Sequence, residues 1–297
     1  MVLDFLKGKY GLQLWAFLFL ALISWILFQV LGLFVLNFTT SVSMEEAMDV
    51  MNMNVLPLNP EGYSVFFIML FFQSLGLFVI PGLLFPLLIG TSVKNYFSFD
   101  IRKKTTYLFL LPILAIPGLI IVSFLGEWNM KLNLPQFFHD MEKNATETVT
   151  YLLSFNETTY ILSTTLLMAV FPAIGEELFF RGVVQQLIVK WTKKHWIGIL
   201  ITAFIFSAIH FQFLTFLPRF FMGIVLGYLF VWTKNILFPI LAHFFHNFIS
   251  IMLGFYSNNQ EIGEAQTLNI WLVLGAIIVF SGVFFTFYSS FQKNHVS

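Results

Sequence analysis

Long apolar runs separated by short polar clusters recur from residue 11 almost to the end of the chain. A helix needs about 20 apolar residues to cross a hydrocarbon core of about 30 Å, so runs of that length bounded by polar residues predict membrane spans. Eight are present, at approximately 12–37, 64–91, 105–126, 158–190, 196–214, 217–233, 236–255 and 269–291. Pro172 and Gly175 lie inside the fourth and predict a break or kink there. The pattern predicts an all-α fold: a polytopic integral membrane protein with about eight transmembrane helices. A basic flank precedes the first run, as in a signal peptide, but the run exceeds an h-region of about 7–15 residues and predicts a retained span.

Between the runs, the longest loops are 38–63, with Glu45, Glu46, Asp49 and Glu61 and no Lys or Arg, and 127–157, which is mixed but acid-rich. Basic residues gather instead at Lys7 and Lys9, at Lys94, Arg102, Lys103 and Lys104, at Lys190, Lys193 and Lys194, and at Lys234 and Lys293. These clusters fall on alternate sides of eight spans, so the positive-inside rule predicts a multi-pass protein of the cell membrane with both termini cytoplasmic. The expected organisation is one membrane domain: a three-span region over 1–150, a core over 151–255 and a last span within 256–297.

Composition sharpens this picture. The chain is 58% hydrophobic and 10% charged, with a mean hydropathy of +0.85, so lipid is the solvent for most of it. Fifteen basic and fifteen acidic residues give a net charge of zero, with no basic field to attract nucleic acid. The count of Cys is 0, which excludes disulfides, thiolate metal sites and a cysteine nucleophile. Forty phenylalanines fit core packing and lipid contact, and Gly223 and Gly227 form a GxxxG that lets a neighbouring helix approach.

Polar groups inside the apolar runs are the candidate chemistry. Glu176 and Glu177 are the one acidic pair well inside a span, where an ionised group costs at least about 2.5 kcal/mol unless partnered or beside water. Arg181 stands four residues after Glu177, one turn away on the same face, and predicts an intrahelical pair. That leaves Glu176 to find its own partners. His210 is placed in the fifth span, one turn after Phe206; His243 and Asn247 share a face of the seventh, with His246 on a neighbouring face. A carboxylate can deprotonate water, a neutral imidazole can hold that water or shuttle its proton, and His and Asn donors can stabilise an oxyanion, which together would hydrolyse a peptide bond. Alternatively, His nitrogens and a Glu oxygen can hold a divalent metal such as zinc, although no HExxH is present.

Taken together, EELFFR at 176–181, FSAIH at 206–210 and HFFHN at 243–247 resemble the motifs EExxxR, FxxxH and HxxxN of the CPBP family, the type II CAAX prenyl endopeptidase-like and bacteriocin-processing membrane proteins. The resemblance spans about residues 170–250. It implies an intramembrane endopeptidase acting on a membrane-associated peptide or lipidated protein. Glu176 and His210 would activate water, His243 and Asn247 would stabilise the oxyanion, and Glu177 and Arg181 would support them. If a metal is used, Glu176, His210 and His243 are the expected ligands; no cofactor is otherwise implied. Two further classes stay open: a catalytically silent immunity or scaffold protein, for which Glu176→Gln would be harmless, and an ion-coupled transporter, for which an inverted repeat is missing.

One tension remains in this picture. At about 1.5 Å per residue, Glu176 and His210 lie roughly 20 Å or more from the basic loop near Lys193, whereas His243 lies about 13 Å from Lys234. Straight helices along the membrane normal would hold them apart.

Overall fold

A computed structural model of the chain describes residues 8–51, 60–99, 105–258 and 268–292. Lys7, Arg102, Lys103, Lys104 and Lys293, used above for orientation, lie outside these residues. The described residues fold almost wholly into helices, and seven are long and apolar enough to cross a membrane: α1 Tyr10–Thr39, α2 Pro60–Leu88, α3 Thr105–Asn129, then α5 Thr158–Thr192, α7 Phe213–Thr233, α8 Leu237–Ser257 and α9 Ile270–Phe291. Between them stand α4, Gln136–Leu153, and the shorter apolar α6, His195–Ala208.

The all-helical polytopic expectation holds, with differences in detail. The fifth expected span is a 14-residue helix, about 21 Å long, that stops at Ala208. His210 therefore lies in the turn beyond its end and not deep inside a helix. Most of the expected loop 127–157 is the helix α4, too polar to be found by a search for apolar runs. It tethers itself by burying Tyr151, Leu152 and Leu153 at its C-terminal end.

Lipid inverts the usual arrangement of a helix face. α1 buries Gln13, Phe17, Ala21, Ser24, Gly32 and Leu36 along one stripe. Trp15, Phe19, Ile26, Leu27 and Phe34 point outward, half-exposed or more. An apolar outer face without a protein partner is the signature of a lipid-facing span. The core is in several parts: Phe17, Phe85, Phe179, Phe180 and Phe206 join α1, α2, α5 and α6, whereas Leu111, Leu226, Leu229, Phe238 and Phe280 join α3, α7, α8 and α9. The abundant phenylalanines thus serve packing and lipid contact.

The helix α5 runs through the middle of the bundle without the expected break. Proline removes an N–H and its ring crowds the carbonyl four residues back. Here a π-helical turn, Leu166–Val170, ends two residues before Pro172 and accommodates it within a continuous helix. The same device occurs in α2, where the π turn Leu75–Val79 ends two residues before Pro81. The two devices face one another: a Cβ built on Gly175 would meet Phe78 Cβ and Val79 Cγ2, each at 3.0 Å. Only glycine lets α5 approach α2 this closely.

The expected mismatch of depths does not keep the residues apart, since His243 reaches Glu177. Between α7 and α8, Thr233, Asn235 and Ile236 are at most 1% exposed. The Ile236 N–H donates to Phe97 O at 3.4 Å, from the short helix Val93–Phe97 and its buried Phe97. This segment packs on the buried Asn235–Ile236 side of the turn from which α8 starts, while Lys234 is exposed. Nine residues after Lys234, His243 is level with Glu177 near the middle of α5.

Candidate active site

Glu177 and Arg181 are both fully buried one turn apart on α5, and Arg181 Nη1 donates to Glu177 Oε1 at 2.8 Å. The guanidinium also donates from Nη2 to the backbone carbonyl of Gly223 on α7, at 3.1 Å. One turn on, Gln185 Nε2 repeats the contact to Gly227 O, also at 3.1 Å. Both glycines of the GxxxG thus present carbonyls to α5. On another side, α6 closes in: a Cβ on Gly223 would lie 2.8 Å from Ala203 Cβ.

The same Glu177 Oε1 receives His243 Nδ1 at 2.9 Å. A carboxylate only accepts, so Nδ1 carries the hydrogen and the ring is fixed with Nε2 on the far side. That nitrogen stands 4.0 Å from Glu176 Oε2. His210 is oriented by another acceptor, the carbonyl of Phe206 at 2.8 Å from Nδ1, which is one of the last carbonyls of α6. Its Nε2 is left with a lone pair. The Phe206 ring knits these groups together, edge-to-face with His210 and His243 at centroid distances of 5.4 and 6.1 Å and with Arg181 above it at 4.9 Å.

Pro172 explains the position of Asn247. In an α-helix the carbonyl of residue 168 would accept from residue 172, which is proline and has no N–H. Asn247 Nδ2 fills that role, donating to Met168 O at 3.2 Å. The amide is therefore anchored to α5 and makes no hydrogen bond to Glu176, His210 or His243.

Glu176, His210, His243 and Asn247 line a single cavity of about 740 Å³, with Glu177 and Arg181 behind its wall. The four meet there without a direct hydrogen bond between Glu176 and His210. Sequence reasoning missed several of the groups beside them. Gln73 and Ser74 reach the cavity from α2, Ala145 and Thr148 from α4, Gln212 from the α6–α7 turn and Arg219 from α7. Arg219 stands in LPRFFMG, inside the expected span 217–233, and a cation at that place was the available signal. His246, unassigned from sequence, also lines the cavity, and its Nδ1 is buried without a partner.

A metal fits these positions poorly. Catalytic zinc takes three protein ligands at about 2.0–2.2 Å. Among the described residues no three His, Asp or Glu side chains converge in this way, and the 4.0 Å between Glu176 and His243 is the one such pair facing the cavity.

Comparison with known proteins bears on the same stretch. No solved structure matches the chain. The uncharacterized protein YpbD of Bacillus subtilis (strain 168) is 36% identical over 89 residues, 29% of this chain and 40% of that protein, so the chain spans less than half of that relative's length. Residues 158–249 match the family model of the type II CAAX prenyl endopeptidase Rce1-like proteins. The resemblance drawn from the three motifs is therefore borne out over the segment that holds Glu176, Glu177, Arg181, His210, His243 and Asn247.

Proposed function

We propose that the protein is an intramembrane endopeptidase that hydrolyses a peptide or lipidated protein reaching it from the lipid bilayer. One observation carries this reading: Glu176 and the Glu177-bound His243 stand 4.0 Å apart on a cavity that His210 and Asn247 also line. Glu176 takes a proton from water as that water attacks the scissile carbonyl, then delivers it to the departing amine. His210, with Nδ1 committed to the Phe206 carbonyl, offers its Nε2 lone pair to hold the water. His243 presents Nε2 to the developing oxyanion and must carry a second proton to donate there. Asn247 adds a donor once its amide leaves the Met168 carbonyl. This route needs only the chain's own residues.

The basic loops support a place in the cell membrane with both termini cytoplasmic. The decisive experiment is cleavage of a fluorogenic peptide library by the purified protein in detergent, with and without a chelator. Glu176→Gln is expected to reduce turnover by at least about a hundredfold, the usual contribution of a general base, and the chelator to leave wild-type turnover intact. Equal turnover by well-folded wild type and variant would instead assign the buried polar set to a non-catalytic scaffold.

A further inference from the structure

The cavity holds one cation that the proposed hydrolysis does not use. Arg219 Nη1 donates to Gln212 Oε1 at 2.7 Å and Nη2 to the Gln212 backbone carbonyl at 2.5 Å, so neutral oxygens aim the guanidinium. Its Nε is buried without a partner. The carboxylates whose charge reaches it are Glu142 and Glu176, and neither lies within ion-pair distance. Glu142 accepts instead from Thr215 Oγ1, at 2.9 and 3.0 Å from its two oxygens. A guanidinium stays protonated, and a charge among spans is costly without a direct ion pair, so an anion entering the cavity meets a cation with donors to spare.

We propose that Arg219 anchors a carboxylate subsite in this cavity and thereby selects the peptide. The inference rests on the peptidase reading for the identity of the ligand. The planar guanidinium fork matches a carboxylate, which a peptide supplies either at its chain end or from an acidic side chain. A cavity of about 740 Å³ is the size of a small-ligand site, so only a few residues of the peptide enter with that carboxylate.

The test measures binding apart from cleavage. Purified Glu176→Gln protein in detergent is titrated with one short fluorescent apolar peptide in three versions: a free C-terminal acid, a C-terminal amide without acidic residues, and that amide carrying one internal Glu. Binding of at least one acidic version about tenfold or more tighter than the neutral amide is expected, as for a charge-assisted hydrogen bond, and the version that gains identifies the source. Adding Arg219→Gln is expected to collapse the ratio to about one. Arg219→Lys, which keeps charge but loses the fork, is expected to narrow it. A merely structural Arg219, tying down the turn that holds His210, would weaken all three versions together and leave the ratio unchanged. Equal binding of the three peptides, no binding of any, or a ratio unmoved by either Arg219 substitution overturns the subsite. A carboxylate preference without cleavage by wild type would preserve the subsite and sink the peptidase.

Discussion

A single oxygen, Glu177 Oε1, accepts from both Arg181 and His243. Its spacing to Arg181 is local and follows from helical geometry in the sequence. The bond to His243, 66 residues away, is not legible there, because it depends on the level at which α8 begins. Two substitutions separate the roles of this junction. Arg181→Met leaves a buried carboxylate without its cation and the Gly223 carbonyl without its donor. It is expected to destabilise the fold by about 3–5 kcal/mol, read as a large fall in the unfolding temperature in detergent. Glu177→Gln keeps the shape but weakens the hold on His243 and leaves Arg181 without its counter-ion, and is expected to lower peptidase turnover per folded molecule by about tenfold to a hundredfold beside a stability loss of about 3–5 kcal/mol. A loss of turnover matched by a loss of folded protein would make Glu177 purely structural.

Among the elements, apolar runs showed where most spans lie, but not how they meet. Pro172 and Gly175 predicted a break because that is what proline and glycine do in an isolated helix. In the folded protein a π turn absorbs Pro172, and Gly175 admits the neighbouring α2. Helix α4 was invisible to hydropathy, since its chemistry is polar and its contacts are long-range: Glu142 to Thr215, Phe138 against Phe213. The GxxxG was legible as a close approach, though not its use of both carbonyls. Its energetic role can be measured against an internal control. Gly223→Ala would put a methyl group 2.9 Å from the backbone Cα of Ala203, and is expected to lower stability by about 1–3 kcal/mol. Gly282→Ala in α9, with nothing within 4 Å, is expected to be neutral or slightly stabilising. Thermal unfolding of both variants checks the contrast; equal shifts would remove the packing role of Gly223.

The whole molecule has a direction that the site alone lacks. Lys193 and Lys194 stand beyond one end of α5, whereas α4, whose Ala145 and Thr148 line the cavity, belongs to the polar stretch at the other end. On the orientation proposed from the basic loops, α4 and its wall of the cavity face the outside of the cell. With no native cysteine, an introduced one is the sole thiol in the chain. An impermeant maleimide is expected to label Asn144→Cys on intact cells and Lys194→Cys only after lysis; the reverse would turn the protein over and put the cavity's α4 wall in the cytoplasm. Residues before 150 and residues of 151–255 line the cavity together, and the segment at Val93–Phe97 packs on the turn before α8. Ribosomes make that segment well before the turn it packs on. The N-terminal three-span region, which carries none of the motif residues, thus supplies a contact to the turn from which the His243 helix starts.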